Sequence, residues 1–168
     1  MSRIYDKVAL IGLGLIAGSM AHAMRRHGLA GTIAGHARTA ETRNAAQEIG
    51  LVDTVHASAA EAVADADLVV LAVPVGAMEA VAREIAPHLK PGCTVTDVGS
   101  VKQAVIAAVA PHLPEGVHFV PGHPLAGTEH SGPYSGFATL FENRWWLITP
   151  LPDADADATA RLRALCEG

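Results

Sequence analysis

Cysteine, aromatic side chains and charge are all scarce in this chain of 168 residues: two Cys, 4% aromatic residues and 17% charged residues. Cys93 and Cys166 are far apart and lack metal-ligand spacing. They imply neither a disulfide framework nor a metal site, and both read as reduced thiols. A net charge of −5 with no run of Lys or Arg argues against a nucleic-acid surface. The longest apolar runs fall far short of the roughly 20 residues of a membrane span. The first seven residues are polar and mixed, unlike a secretory leader. A cytoplasmic protein without nucleic-acid or membrane partners is therefore expected. Internal repeats, low-complexity segments and long linkers are missing too. What is present is a 50% hydrophobic composition led by Ala and Val, sufficient for one core in a single domain over residues 1–168.

Short apolar runs alternate with helical patterns of about ten residues. Lys7–Gly12 reads as a buried parallel strand. A helix from Leu15 to His27 follows, with Gly28 as its C-cap. Thr32–His36 is a second strand, and Thr39 caps a helix running to about Ile49. Val52–His56 is a weak third strand. Ser58 caps Ala59–Ala64, with Glu61 as its capping-box partner. Asp67–Val73 is the strongest strand and Pro74 ends it. Helix Gly76–Leu89, strand Cys93–Val98, helix Val101–Ala110, strand Val117–Val120 and strand Arg144–Thr149 complete the pattern, and the Asp-rich stretch from Asp153 starts a last helix. This order predicts an α/β fold: a Rossmann-type, doubly wound, mostly parallel sheet covered on both faces.

Two stretches carry chemistry. In Gly12-Leu13-Gly14-Leu15-Ile16-Ala17, a strand ends in glycine and a helix opens. Gly12 permits the tight turn, Gly14 lets a pyrophosphate approach the backbone, and the small Ala17 lets helix and strand pack closely. The N–H groups of Leu15 and Ile16 then open the helix toward the phosphates. A plain βα turn is the bland alternative. At the end of the second strand, where an acid would select NAD, stand Ala37 and Arg38. This predicts acceptance of NADP as well as NAD, with Arg38, and Arg43 one turn on, reaching a 2′-phosphate; Arg38 also reads as an ordinary surface residue. The second stretch, Val120-Pro121-Gly122-His123-Pro124-Leu125-Ala126-Gly127-Thr128-Glu129, sets a histidine in a tight frame of Gly and Pro that can aim its side chain.

The glycine turn, Asp97-Val98-Gly99-Ser100-Val101-Lys102 and Gly122-His123-Pro124-Leu125-Ala126-Gly127-Thr128-Glu129, in that order and spacing, resemble the prephenate/arogenate dehydrogenases of tyrosine biosynthesis. The resemblance covers nearly the whole chain; Ala17 departs from it, standing where the family usually has glycine. It implies an NAD(P)-dependent oxidative decarboxylation, of prephenate to 4-hydroxyphenylpyruvate or of arogenate to tyrosine. His123 is then the general base, suited by a pKa near working pH. Ser100 hydrogen-bonds near the hydroxyl and the histidine, and also reads as the cap of the following helix with Gln103. Thr128 and Glu129 line the substrate pocket, although Glu129 equally reads as a surface acid. Val73 and Pro74 shape the adenosine side. Asp97 is expected as a turn-former, Lys102 as a solvated first-turn residue, and Tyr134 and both tryptophans as packing residues. A helical second domain that dimerises and binds the substrate carboxylates is implied and has no counterpart here, because no Arg lies between Gly122 and Gly136. The chain is thus expected to bind dinucleotide and to turn over poorly alone. The alternatives are a two-domain dehydrogenase of a β-hydroxy acid and a non-catalytic dinucleotide sensor.

Overall fold

In the computed structural model, which describes residues 2–168, the first apolar run forms strand β1 (Tyr5–Ile11). It pairs in parallel with β2 (Ala30–His36) on one side and β4 (Leu68–Leu71) on the other. Strand β3 (Thr54–His56) lies outside β2, and β5 (Thr94–Asp97) and β6 (His118–Phe119) extend the sheet beyond β4. The resulting order, β3-β2-β1-β4-β5-β6, is all parallel and reverses between β1 and β4. Successive side chains alternate between the faces. Val8, Leu10, Leu68 and Val70 enter one core, which also holds Met20, Met24, Leu162 and Leu165. Ala9, Ile11, Val69 and Leu71 enter the other, with Met78, Ile85, Val105 and Val109. The doubly wound α/β reading is borne out.

Among the described residues, six α-helices cover the sheet: α1 (Leu15–His27), α2 (Ala40–Glu48), α3 (Ala59–Val63), α4 (Val75–Ile85), α5 (Lys102–Val109) and α6 (Ala156–Glu167). None is long and apolar enough to cross a membrane among the described residues. Gly28 ends α1 in the left-handed conformation, with φ 66°. The side chains of Thr39, Ser58 and Asp155 accept hydrogen bonds from Thr42, Glu61 and Ala158 N–H. The capping box at Ser58 is only half formed. Glu84 of α4, rather than Glu61, accepts from the Ala59 and Ala60 N–H groups, so α3 borrows its second cap from its neighbour.

Most element boundaries shift by one to four residues from the sequence expectation, and two differences bear on the site. The run Asp67–Val73 forms a strand only over Leu68–Leu71, with Ala72 and Val73 continuing past the sheet edge. The last apolar run leaves the main sheet altogether. It becomes β8 (Trp146–Ile148), antiparallel to β7 (Gly122–Pro124) in a separate ribbon.

At the opposite edge, Asp67 ties three segments together. Its carboxylate accepts from Lys7 N–H at 2.9 Å and from Lys90 Nζ at 2.6 Å. Partial burial favours the protonated acid, but the bonds from Lys90 and Lys7 outweigh it and hold the pKa below the ordinary Asp value. A depressed carboxyl stabilises the fold above its unfolded pKa, roughly 4, and loses that contribution as pH falls through the folded value. Asp67→Asn should therefore lower the Tm at pH 7, and the gap from the parent should close as pH falls below about 4. Thermal melts from pH 7 to 3 check this; a gap that stays constant with pH would contradict it.

Candidate active site

The glycine turn sits at the C-terminal edge of the sheet, beside the reversal between β1 and β4, where open α/β sheets form their ligand crevice. Gly12 has φ +96°, and a Cβ there would lie 2.4 Å from the Ala72 carbonyl oxygen. No side chain could occupy that position. Gly14 precedes α1 with extended backbone, and a Cβ on it would meet nothing within 4 Å. The first helical bond runs from Gly18 N–H to Gly14 C=O. The N–H groups of Leu15, Ile16 and Ala17 thus lack helical acceptors, no side chain caps them, and the first turn holds no acid. An open approach above uncapped donors at the positive end of a helix suits a pyrophosphate. Ala17 is buried, and half-buried Val73 and exposed Pro74 follow β4, with Pro74 at the N-cap position of α4.

At the β2 edge, Ala37 is buried and Arg38 exposed. Arg43 is engaged with the backbone of the turn through one guanidinium nitrogen. Its guanidinium donates to the carbonyls of Ala37 (2.8 Å) and Arg38 (3.0 Å), which pins the turn that carries Arg38.

His123 lies in a strand, not in a tight turn. Pro121 C=O accepts from Thr149 N–H, and Leu125 N–H donates to Trp145 C=O, so β7 is held along β8. Opposite His123 is Leu147. Alternation sends Trp146 and Ile148 to the core, where Trp146 packs on Phe141 at a centroid distance of 5.0 Å. His123, half-buried, shares the other face with Leu147, Leu125 and Trp145. Trp145 is 78% exposed and Tyr134 66%. Neither is the packing residue expected from its size; only Trp146 is.

Asp97 ends β5 with no exposed surface. One carboxylate oxygen accepts from Gly99 N–H at 2.8 Å and from Lys102 Nζ, the other from Gly122 N–H at 3.2 Å. Lys102 Nζ also donates to Gly122 C=O. Lys102 is therefore not a solvated first-turn residue: its side chain is 17% exposed, and burial lowers its pKa although the bond it donates to Asp97 pushes the other way. Ser100 is not the cap of α5. The helix starts at Lys102, its N-cap is Val101, and no side chain caps it. The buried carboxylate draws the lysine inward and starts the helix one residue later, leaving Ser100 exposed at the sheet edge. Asp97 could have been suspected from sequence, since Thr94, Thr96 and Asp97 all fall in a strand central enough to be buried. Gly122 is equally constrained: a Cβ there would lie 3.0 Å from Trp146 Nε1 and 3.3 Å from Thr96 Oγ1.

Thr128 and Glu129 are exposed in the segment between β7 and β8. Thr128 Oγ1 accepts from His130 N–H at 3.1 Å, and Glu129 pairs with His130 at 3.5 Å. The segment is anchored on α1, where Ser19 Oγ accepts from Phe137 N–H at 3.1 Å. A Cβ on Gly136 would lie 2.7 Å from the Gly18 carbonyl carbon, so the two backbones meet directly. Burial pushes the thiols of Cys93 and half-buried Cys166 up to about 12, which disfavours the thiolate of each.

A family model described as "Prephenate dehydrogenase, nucleotide-binding domain" matches residues 20–168. Cyclohexadienyl dehydrogenase of Zymomonas mobilis is 41% identical over 157 residues, covering 94% of this chain and 53% of that protein. Prephenate dehydrogenase of Bacillus subtilis is 34% identical over 169 residues, covering 100% and 46%. The crystal structure of prephenate dehydrogenase from A. aeolicus in complex with hydroxyphenyl propionate and NAD+ superposes with a TM-score of 0.87 at 30% identity, over 96% of this chain and 56% of that one. Synechocystis arogenate dehydrogenase gives 0.86 at 32% identity, over 96% and 56%. The chain spans about half the length of the curated relatives it matches.

The contact between Gly12 and the β4 edge makes the turn intolerant of any side chain. Gly12→Ala should destabilise the chain by about 3 kcal/mol, combining left-handed strain and overpacking. Gly14→Ala, with open space around it, should cost under about 1 kcal/mol. Urea denaturation of both variants checks this, and equal losses would count against it.

Proposed function

The chain belongs to the family of prephenate dehydrogenase nucleotide-binding domains, and from that premise we propose that residues 1–168 form the dinucleotide half of an NAD(P)-dependent dehydrogenase acting on prephenate, arogenate or both. The observation that supports the reading is that the loops carrying Ser100 and His123, tied together through Asp97, follow the same end of the parallel sheet as the uncapped α1 N-terminus. The bound dinucleotide supplies the hydride acceptor.

The chain's own residues supply the rest. Gly12 and Gly14 open the turn, and the N–H groups of Leu15, Ile16 and Ala17 hold the pyrophosphate. Val73 and Pro74 border the adenosine side. His123 takes the proton of the ring hydroxyl as the carbonyl forms; loss of carbon dioxide then leaves an aromatic ring. Ser100, freed from capping, directs its hydroxyl to the reacting oxygen or to the imidazole. Thr128 and Glu129 border the substrate, Thr128 through its methyl and remaining lone pair. The substrate carboxylates call for paired cations, and no Arg lies between Gly122 and Gly136. These cations, and the dimer contact, are assigned to the other half of the enzyme, since the relatives are about twice as long.

His123→Asn should lower kcat by roughly 10²–10⁴ with little change in KM, measured in an enzyme form that turns over prephenate or arogenate. Near-normal turnover would exclude His123 as the base. For the coenzyme, buried Ala37 places no carboxylate at the ribose and Arg38 is exposed beside it, which supports use of NADP alongside NAD. Ala37→Asp should raise the NADP-to-NAD ratio of dissociation constants by about tenfold or more, read by fluorescence titration. An unchanged ratio would remove Arg38 from the site.

A further inference from the structure

We propose that Asp97 and Lys102 are positioning residues that set Ser100 and His123 against each other, a role resting on the assignment of those two side chains above. The residue before Ser100 and the residue before His123 are held by the same carboxylate: Gly99 N–H at one oxygen, Gly122 N–H at the other. Lys102 completes the arrangement, because its ammonium bonds both Asp97 and the carbonyl of Gly122. Both backbone polar groups of Gly122 are thereby taken up by the pair.

The ribbon geometry makes this hold directional. Pro121 and Leu125 turn their backbone groups toward β8, so those of the intervening Gly122 point away from it, to Asp97 and Lys102. Strand β7 is gripped from both edges, and the rotation that would swing His123 off its face is blocked on both. Gly122 is also crowded, since a Cβ there would press on Trp146 Nε1, Asp97 C=O and Thr96 Oγ1. A buried carboxylate needs a cation wherever it lies. Neutralising Asp97 alone, however, does not call for a second bond to Gly122 C=O, nor for the two carboxylate oxygens to reach two separate loops.

Lys102→Met keeps the aliphatic stem and removes the ammonium; Lys102→Arg keeps a cation able to bond both acceptors. Amide hydrogen exchange of the 168-residue chain, followed by NMR, provides a readout without substrate. In Lys102→Met the Gly122 and His123 amides should exchange at least about tenfold faster relative to Val8–Leu10 of β1. Dinucleotide affinity should stay within about threefold, because the pair touches none of the phosphate donors. Equal acceleration at all these amides, or none, would overturn the proposal. In the active enzyme, Lys102→Met should lower kcat by about 10²-fold with KM for dinucleotide unchanged, and Lys102→Arg should recover part of the loss. Unaltered kcat would also overturn it. If Asp97→Asn fails to fold, the two Lys102 variants still decide the matter. Loss of the reading of His123 as base would appear instead as normal turnover in His123→Asn, with the exchange result standing by itself.

Discussion

A carboxylate shut away from water has to collect donors from the protein, and Asp97 collects three. Its place at the end of a central parallel strand puts this demand at the edge where the crevice opens. Each donor belongs to a different piece of chain: the loop after β5, the first turn of α5, and the start of β7. Satisfying the charge therefore fixes the relative places of the two loops that carry Ser100 and His123. The start of α5 gives way to the same requirement, beginning one residue later and releasing a serine that local pattern assigns to capping.

Glycine performs the complementary task. At Gly12, Gly122 and the Gly18–Gly136 contact, backbone lies where a Cβ would collide with or crowd neighbouring atoms. At Gly14 the space is open. The chain thus uses the missing side chain in two opposite ways, closing the structure around the crevice and leaving clearance within it.

How much of this could be read in advance depended on range. Periodicity and caps gave the sheet class, all six helices and the glycine turn, because those signals lie within a dozen residues of one another. Motif resemblance nominated His123 and Ser100. What escaped were partners distant in sequence: Glu84 capping α3, Arg43 bound to carbonyls, and Lys102 drawn to a buried acid. A residue such as Lys102 looks like any exposed helix-start lysine until the fold places Gly122 beside it. The antiparallel ribbon escaped for a similar reason. A short apolar run does not reveal which edge it will join, and Gly and Pro around His123 read as turn signals although the segment is extended. Size likewise misled for Tyr134 and Trp145, which lie on the outward side of a segment anchored by its glycine contact instead.

The raised pKa of both thiols has a practical consequence. With values near 12, only about one Cys93 or Cys166 side chain in 10⁵ is thiolate at neutral pH. A maleimide reacts with thiolate, so a cysteine introduced at an exposed position, such as one in the segment between β7 and β8, would be modified far ahead of the native pair. The chain can carry a single reporter dye without first being stripped of its own sulfur.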